Sequence, residues 1–357
     1  MDSKEKLKKF WRNKKVFITG HTGFKGSWMS ILLNMLGANI YGYSLKPNKK
    51  SLFNQANCKY FLKENFYGNI NDFNNLKKKL KKTKPNILFH LAAQPLVSKS
   101  FNDPLETFQT NIIGTANVLN ATRDIPSLKS IVIITTDKVY KIKDSNKKYK
   151  EIDELGGKDP YSVSKVCAEH VTISFIESFY KNKNIRNKIS TARSGNVIGG
   201  GDYSKNRLLP DIINSINSKK RIEIRNPNYI RPWQHVIEPT LGYLKLAELQ
   251  YKKKRLHKDQ NWNFGPNKKS FVKVIDILKI IKKKYKIKIK IKKNKDFFET
   301  KILKLDNNKA KNNLNWRPNW NLQKSIDSVM GWNDEFRKNK NAKKISEHQI
   351  NNYFNKK

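Results

Sequence analysis

Residues 15–43 read KVFITGHTGFKGSWMSILLNMLGANIYGY. Lys15-Val16-Phe17-Ile18-Thr19 is a short apolar run of strand type. GHTGFKG follows, then SWMSILLNMLG, whose spacing predicts a helix closed by Gly37, and then a second strand at Ala38–Tyr43. Strand, glycine-rich turn, helix and strand in this order open a doubly wound, mostly parallel α/β sheet of Rossmann type.

The alternation continues outward. DFNNLKKKLKK (72–82) predicts a helix and NILFHLA (86–92) a strand. TFQTNIIGTANVLNAT (107–122) is a helix, SIVIITT (130–136) a strand, YSVSKVCAEHVTISFIESFY (161–180) a long helix and ISTARSGNV (189–197) a strand. Beyond about residue 196 the pattern is less regular, with Gly and Pro clusters. We therefore expect a dinucleotide-binding domain over 1–196, with returning segments near 223–250 and 261–266. A smaller C-terminal lobe is expected from 197–222 and 251–357.

The 357 residues suffice for a substantial core. No run approaches the 18 uncharged apolar residues of a membrane span, and no apolar signal segment precedes the first strand. Two cysteines, Cys58 and Cys167, make neither a disulfide framework nor a metal cluster, so a reducing cytoplasm is expected and no metal. With 74 Lys and Arg against 29 Asp and Glu, the formal charge is +45. Such a charge attracts nucleic acid or an anionic membrane surface. Lysine is nevertheless spread along the whole chain, beside abundant Asn and Ile that share its AT-rich codons. The dense runs LKKKLKKTK (76–84) and KIKIKIKK (286–293) read as the solvated faces of a helix and of a half-buried strand. A basic surface also suits an anionic small substrate.

The turn itself carries Gly20, Gly23 and Gly26 at GxxGxxG spacing. A glycine triple between a strand and a helix lets backbone approach a diphosphate, which the helix N-terminus attracts. The acid that usually follows about 20 residues later to hold the adenosine ribose is absent. Tyr43-Ser44-Leu45-Lys46 stands there instead, so NAD and NADP both stay open, Lys46 favouring a 2′-phosphate. Further on, Tyr161 and Lys165 lie four apart on one helix face. A free tyrosine titrates near pH 10, too high for a base, and a neighbouring ammonium is expected to lower it. Thr136, at a strand end 25 residues upstream, offers a hydroxyl to complete the trio. Beside it Asp137 and Lys138 set an acid next to a base, where a solvated strand end is the plainer alternative.

Together GHTGFKGSW (20–28), HLAAQPLV (90–97), TTDKVY (135–140), LGGKDPYSVSK (155–165), RSGNVIGGGD (193–202), RPWQHV (231–236) and WNFGP (262–266) resemble the extended short-chain dehydrogenase/reductases. Within these they resemble the CDP-glucose 4,6-dehydratases, lyases of deoxysugar and lipopolysaccharide O-antigen biosynthesis. LNWRPNW (314–320) extends the likeness. Ser98 stands where relatives often carry Arg, and Asn69-Ile70 replaces the more usual Asp-Ile.

The resemblance implies NAD as cofactor, CDP-glucose as substrate, and internal hydride transfer from C4 to C6. The cofactor would lie against Gly20, Thr22, Gly23, Phe24, Lys25, Gly26, Asn69, Ile70, Leu91, Ala92, Ala93, Thr110, Tyr161 and Lys165. Thr136, Asp137, Lys138, Tyr161 and Lys165 would be catalytic. Tyr161 would take the 4-OH proton, Asp137 would act as acid and Lys138 as base, its pKa lowered by desolvation and by Lys165. Gln94, Asn196, Arg207 and Arg231 would bind substrate, and His235 would be structural. Helices 107–122 and 161–180 would form a homodimer interface. A 4-epimerase, a dehydratase of another nucleotide sugar and a nucleic-acid-binding protein on this scaffold are the rivals. The first has no use for Asp137-Lys138, and the last has none for the Thr136–Tyr161–Lys165 trio.

Overall fold

The computed structural model describes residues 3–143, 147–180, 188–252, 260–291 and 300–355. In chain order the strands of the first half are β1 (Lys15–Thr19), β2 (Asn39–Ser44), β3 (Leu62–Tyr67), β4 (Ile87–His90), β5 (Ser130–Ile134) and β6 (Ile189–Ser194). The second half adds β7 (Asn196–Ile198), β8 (Ile222–Ile224), β9 (Ile230–His235), β10 (Asn261–Phe264), β11 (Phe271–Lys273) and β12 (Ile289–Ile291).

Seven strands form one parallel sheet in the order β10-β6-β5-β4-β1-β2-β3. Every residue of β4 and β5 is buried, which explains why they read as unbroken apolar runs. From β1 the chain winds first towards β3 and then, through β4, towards β10. That reversal leaves a crevice at the carboxyl ends of β1 and β4, the usual ligand position in an open α/β sheet. Helix Phe24–Met35 covers one face with Ile237–Lys252 and Ala342–Phe354. Helices Phe73–Thr83, Gly114–Thr122 and Pro160–Phe175 cover the other. In Phe73–Thr83 the buried residues are Leu76, Leu80 and Thr83, so its lysines form the solvated face.

A smaller lobe is built on β9, which pairs with β7 on one side and β11 on the other, and on the parallel pair β8 and β12. Leu209, Ile212, Trp233, Ile277, Ile281 and Val329 fill its core. In the stretch 223–250, β9 and most of β8 side with the small lobe, and only the helix Ile237–Lys252 returns to the large sheet. The C-terminal helix Ala342–Phe354 lies on the large domain, because Ile345, Ile350, Tyr353 and Phe354 cover apolar surface of the first domain's core.

Local departures have local causes. The helix expected over 107–122 is Pro104–Phe108, a π-helical segment Gln109–Ile113, and Gly114–Thr122. A Cβ at Gly114 would lie 2.7 Å from Ile70 Cγ2, so only glycine permits this approach. The strand expected over 189–197 breaks at Gly195, where a Cβ would sit 2.3 Å from the Pro232 ring. Of KIKIKIKK, only Ile289–Ile291 is strand, and residues 292–293 lie outside the described residues. Helix Ser3–Trp11 and strand β3 escaped the periodicity reading altogether.

Candidate active site

The glycine turn is closely packed. Gly20 has φ +76°, and a Cβ there would lie 2.5 Å from Ala92 N; one at Gly26 would lie 2.2 Å from the Gly20 carbonyl oxygen. Both are steric requirements for glycine. Gly23 is the N-cap of helix Phe24–Met35 and offers no side chain to its first N–H groups. Uncapped donors and the helix dipole therefore face the crevice, an arrangement that fits a diphosphate. At the end of β2, Thr22 and Ser44 hydroxyls pair at 2.7 Å, and Thr22 donates to the Leu45 carbonyl at 3.0 Å. The ribose end of the cradle is thus neutral and hydroxylic, with Lys46 exposed beside it.

The crevice holds a cleft of about 1020 Å³. Gly20, Thr22, Gly23, Phe24, Lys25, Gly26, Asn69, Ile70, Leu91, Ala92, Ala93 and Thr110 border it. So do Gln94, Thr136, Asp137, Lys138, Tyr161, Lys165, Asn196, Arg207 and Arg231. The sequence spreads these residues over more than 200 positions, and the fold brings all of them to one cavity.

Thr136, two residues beyond β5, is in extended backbone and caps a short turn of 3-10 helix, Asp137–Val139. Its Oγ1 donates to Asp137 Oδ1 at 3.1 Å and accepts from the Lys138 amide at 3.4 Å. The Thr136 side chain also lies near enough to Tyr161 to lower the pKa of its phenol. Tyr161 and Lys165 lie in the first two turns of helix Pro160–Phe175, started by an Asp159–Ser162 capping box with Pro160 at the first position. Asp137 is buried, and its Oδ2 has no hydrogen-bond partner. Burial raises its pKa to about 6, against the lowering effect of Lys138, Thr136, Arg231 and Lys25.

Tyr161 corrects one expectation. Burial pushes its pKa up to about 12, and the groups that oppose this rise are Thr136 and Arg207, with Asp137 and Asp159 adding to it. Desolvation of the phenolate outweighs the neighbouring cations, so the phenol is neutral in this cleft at physiological pH. Lys165 is itself buried and lowered to about 8, with Glu169 working in the other direction. Lys25, inside the glycine turn, is lowered to about 7 by burial and by the charges of Arg207 and Lys165. Its ammonium donates to Ser194 Oγ at 2.9 Å, which also accepts from the Tyr243 hydroxyl at 2.8 Å.

The polar residues expected to hold substrate divide into two kinds. Gln94 is buried and its side chain braces its own loop. Nε2 donates to Leu96 O at 3.0 Å and Thr107 Oγ1 at 2.9 Å, while Oε1 accepts from Leu96 N at 2.7 Å. Its side-chain amide is thus engaged within the loop that borders the cleft. Arg207 pairs with Asp202 at 3.2 Å, and Arg231 donates to the Ile230 and Lys301 carbonyls at 3.0 and 3.3 Å. Asn69 accepts from Asn71 N at 3.0 Å and orders the loop after β3. Asn111 was not singled out by the sequence. From the π-helical segment it accepts from Gln94 N at 2.8 Å and donates to Ser164 Oγ at 2.8 Å, tying that loop to the Tyr161 helix.

Behind the catalytic strand end lies a second polar cluster that sequence reading also missed. Glu169 and Arg193 are fully buried. Arg193 donates Nε to Oε1 at 2.9 Å and Nη2 to Oε2 at 2.8 Å, while Thr135 and Thr191 each donate at 2.6 Å. The readable signal is a carboxylate one turn beyond Lys165, on the same helix face.

The sequence profile of the family described as GDP-mannose 4,6 dehydratase matches residues 17–329. The chain is 38% identical over 354 residues to the CDP-glucose 4,6-dehydratase of Salmonella typhimurium, covering 97% of this chain and 98% of that one. It is 32% identical over 225 residues to the dTDP-D-glucose 4,6-dehydratase of Dictyostelium discoideum, covering 59% and 50% of the two chains. Among solved structures, the dTDP-glucose 4,6-dehydratase of Bacillus anthracis in complex with NAD superposes with a TM-score of 0.73 at 21% identity, covering 93% of this chain and 99% of that one. The UDP-glucuronic acid 4-epimerase of Bacillus cereus with UDP-glucuronic acid and NAD gives 0.76 at 22%, covering 90% and 99%. Profile, near-full-length relative and fold agree, and the chain belongs to the GDP-mannose 4,6 dehydratase family of nucleotide-sugar dehydratases.

Proposed function

We propose that this chain catalyses the NAD-dependent 4,6-dehydration of CDP-glucose to CDP-4-keto-6-deoxyglucose. The observation that carries this is the convergence of Thr136, Tyr161 and Lys165 with the adjacent Asp137 and Lys138 in one cleft beside a glycine turn. The 38% identity to a CDP-glucose 4,6-dehydratase over almost the whole chain supports the choice of nucleotide.

A nicotinamide dinucleotide held on the glycine turn supplies the acceptor and later donor of two electrons. Tyr161, once ionised with the help of the Lys165 ammonium, receives the 4-OH proton. The ketone at C4 acidifies C5, and Lys138 removes that proton and later restores it. Asp137, whose burial favours the protonated form, gives its proton to the departing C6 oxygen. Arg207 and Arg231 supply cations for the diphosphate. A 4-epimerase would leave Asp137 and Lys138 without a task, which favours the dehydratase. The dispersed positive charge accelerates capture of an anionic substrate, and salt screens it. The enzyme works in the cytoplasm; among the described residues no helix is long and apolar enough to cross a membrane.

The quaternary reading is a homodimer. Leu105, Ile113, Ile173 and Phe179 are exposed on the paired segments 104–122 and 160–180, an apolar face suited to a second copy. Ile173→Lys should give a monomer in sedimentation velocity; an unchanged mass would remove this assignment.

Lys138→Met tests the chemistry. It keeps stem and packing but deletes the amine, and should lower 4-keto-6-deoxy product by roughly 10²–10⁴-fold. Transient cofactor reduction on adding CDP-glucose should persist. Wild-type dehydration with normal exchange at C5 in heavy water would place the base elsewhere.

A further inference from the structure

The side chain of Lys25 starts in the glycine turn and ends at another wall of the cleft. Its ammonium donates at 2.9 Å to Ser194 Oγ, on the last residue of β6. The same oxygen accepts from the Tyr243 hydroxyl at 2.8 Å, which reaches it from helix Ile237–Lys252. Tyr243 is fully buried and Ser194 nearly so, yet Lys25 and Ser194 both border the cleft. Strands β5 and β6 run parallel with Ile134 opposite Ala192, and two residues further along each chain stand Thr136 and Ser194. Ser194 is therefore at the reacting end of the cleft. Ser44, at the end of β2, is on the other side of β1.

A hydroxyl has two lone pairs and one proton. Ser194 Oγ has both lone pairs occupied, by Lys25 and by Tyr243. The directions of these bonds are fixed. In its ammonium form Lys25 only donates. The Tyr243 hydroxyl bonds no other group among the described residues, so reversing its bond would strand a buried phenol proton. The Ser194 proton is thus left over, and no acceptor for it stands among the described residues. Asp137 Oδ2, close to Gly195, takes no hydrogen bond from it. A nearly buried hydroxyl with a forced, unused donor on a cleft wall is completed by an acceptor on a ligand.

The glycine turn suits the diphosphate of a nicotinamide dinucleotide, and the hydroxyls of Thr22 and Ser44 mark the adenosine side. The nicotinamide end is then the part that reaches β5 and β6, and its ring carries a carboxamide oxygen. We infer that Ser194 donates to this oxygen, and that Lys25 and Tyr243 hold Ser194 as a donor for it. The carboxamide nitrogen is no partner, because Ser194 has no lone pair left to accept from it. The contact orients the ring and draws electron density out of it. The charge of Lys25 behind the hydroxyl disfavours the cationic oxidised ring against the neutral reduced one. Both effects make the ring a better acceptor of hydride, while the proton stays on Ser194.

This inference rests on the reading above only for the cofactor on the glycine turn, so its test is binding to the full chain without sugar nucleotide, measured by calorimetry. ADP-ribose lacks the nicotinamide. Thionicotinamide adenine dinucleotide puts sulfur, a weak acceptor, in place of the carboxamide oxygen. Acetylpyridine adenine dinucleotide keeps the oxygen and lacks the amide nitrogen. Wild type should bind the thioamide less well than NAD. Ser194→Ala should bind ADP-ribose as wild type does, which also reports an intact fold. It should lose roughly three- to tenfold in affinity for NAD and for the acetylpyridine analogue, and no longer discriminate against the thioamide. Ser194→Cys, similar in shape with a weaker donor, should fall between the two. A wild-type ratio of NAD to thioamide affinity in Ser194→Ala would show that the proton does not meet the carboxamide, and would end the proposal. Lys25→Met keeps the stem and removes the charge; ADP-ribose should bind as before, and NADH should weaken more than oxidised NAD. Equal losses for ADP-ribose and NAD would make Lys25 a ligand of the diphosphate and overturn its pairing with Ser194. If the binding ratios come out as expected but the wild type converts no nucleotide glucose to a 4-keto-6-deoxy product, the dehydratase reading falls and the carboxamide contact stands.

Discussion

Two buried carboxylates stand on either side of the end of β5, and they are held in opposite states. Glu169 accepts from Arg193, Thr135 and Thr191 on both of its oxygens. Burial works against its charge, yet the guanidinium and the two hydroxyls outweigh this and hold its pKa below the usual range. Asp137 is as deeply buried but has one hydroxyl on one oxygen and nothing on the other, so its pKa rises to about 6. Thr135 and Thr136 are neighbours in sequence and serve the two clusters separately. Burial alone does not set a protonation state; the number of donors aimed at the charge does. The first cluster is a structural clamp between helix Pro160–Phe175 and β6. The second is left incompletely partnered, which is what a proton donor needs.

The contrast can be broken first at the catalytic side. Asp137→Asn keeps the volume and deletes the exchangeable proton, so product formation should fall by roughly 10²–10⁴-fold while the fold persists. Wild-type turnover would mean that the acid is another group. Next, Arg193→Met leaves Glu169 buried without its cation and should destabilise the protein by about 3–5 kcal/mol in urea unfolding. Replacing both partners by apolar residues of similar volume should recover most of that loss. A small effect of the single change would show that Glu169 is not held as a charge.

A smaller and more diagnostic effect is the pH dependence of Asp137. Its pKa is raised on folding, so between about pH 4 and 6 the native state binds more protons than the unfolded chain. The sign follows: its contribution to stability is favourable at the acid end and is lost as pH rises through the folded value. Asp137→Asn does not titrate. The stability of this variant relative to wild type should therefore grow by on the order of 3 kcal/mol from pH 4 to pH 7. A pH-independent difference would mean that Asp137 ionises normally in the folded protein.

Much of this was legible in the chain. The β1–turn–helix–β2 pattern is local, because glycine spacing and apolar periodicity express backbone sterics within a few residues. The Tyr161–Lys165 pair is equally local. Their meeting with Thr136 and Gly20 depends on parallel strand order, which puts the carboxyl ends of β1, β4, β5 and β6 on one edge. Gln94 shows the limit. Nothing in HLAAQP says that its amide will be consumed by Leu96 and Thr107, since that depends on how the loop closes. Apolar residues near 345–354 likewise announce a buried face but not which core it will cover.

By itself, then, the sequence determined the sheet type, the glycine turn, the family and a set of candidate reactive side chains. These are properties of residue type and short spacing. Only the tertiary structure decided their states. Asp137 is poised near neutrality, the phenol of Tyr161 is held neutral, and Lys25 and Lys165 have lost much of their basicity. Each of those states is a balance between lost solvent and gained partners, and partners more than 20 residues apart meet only when the sheet is assembled.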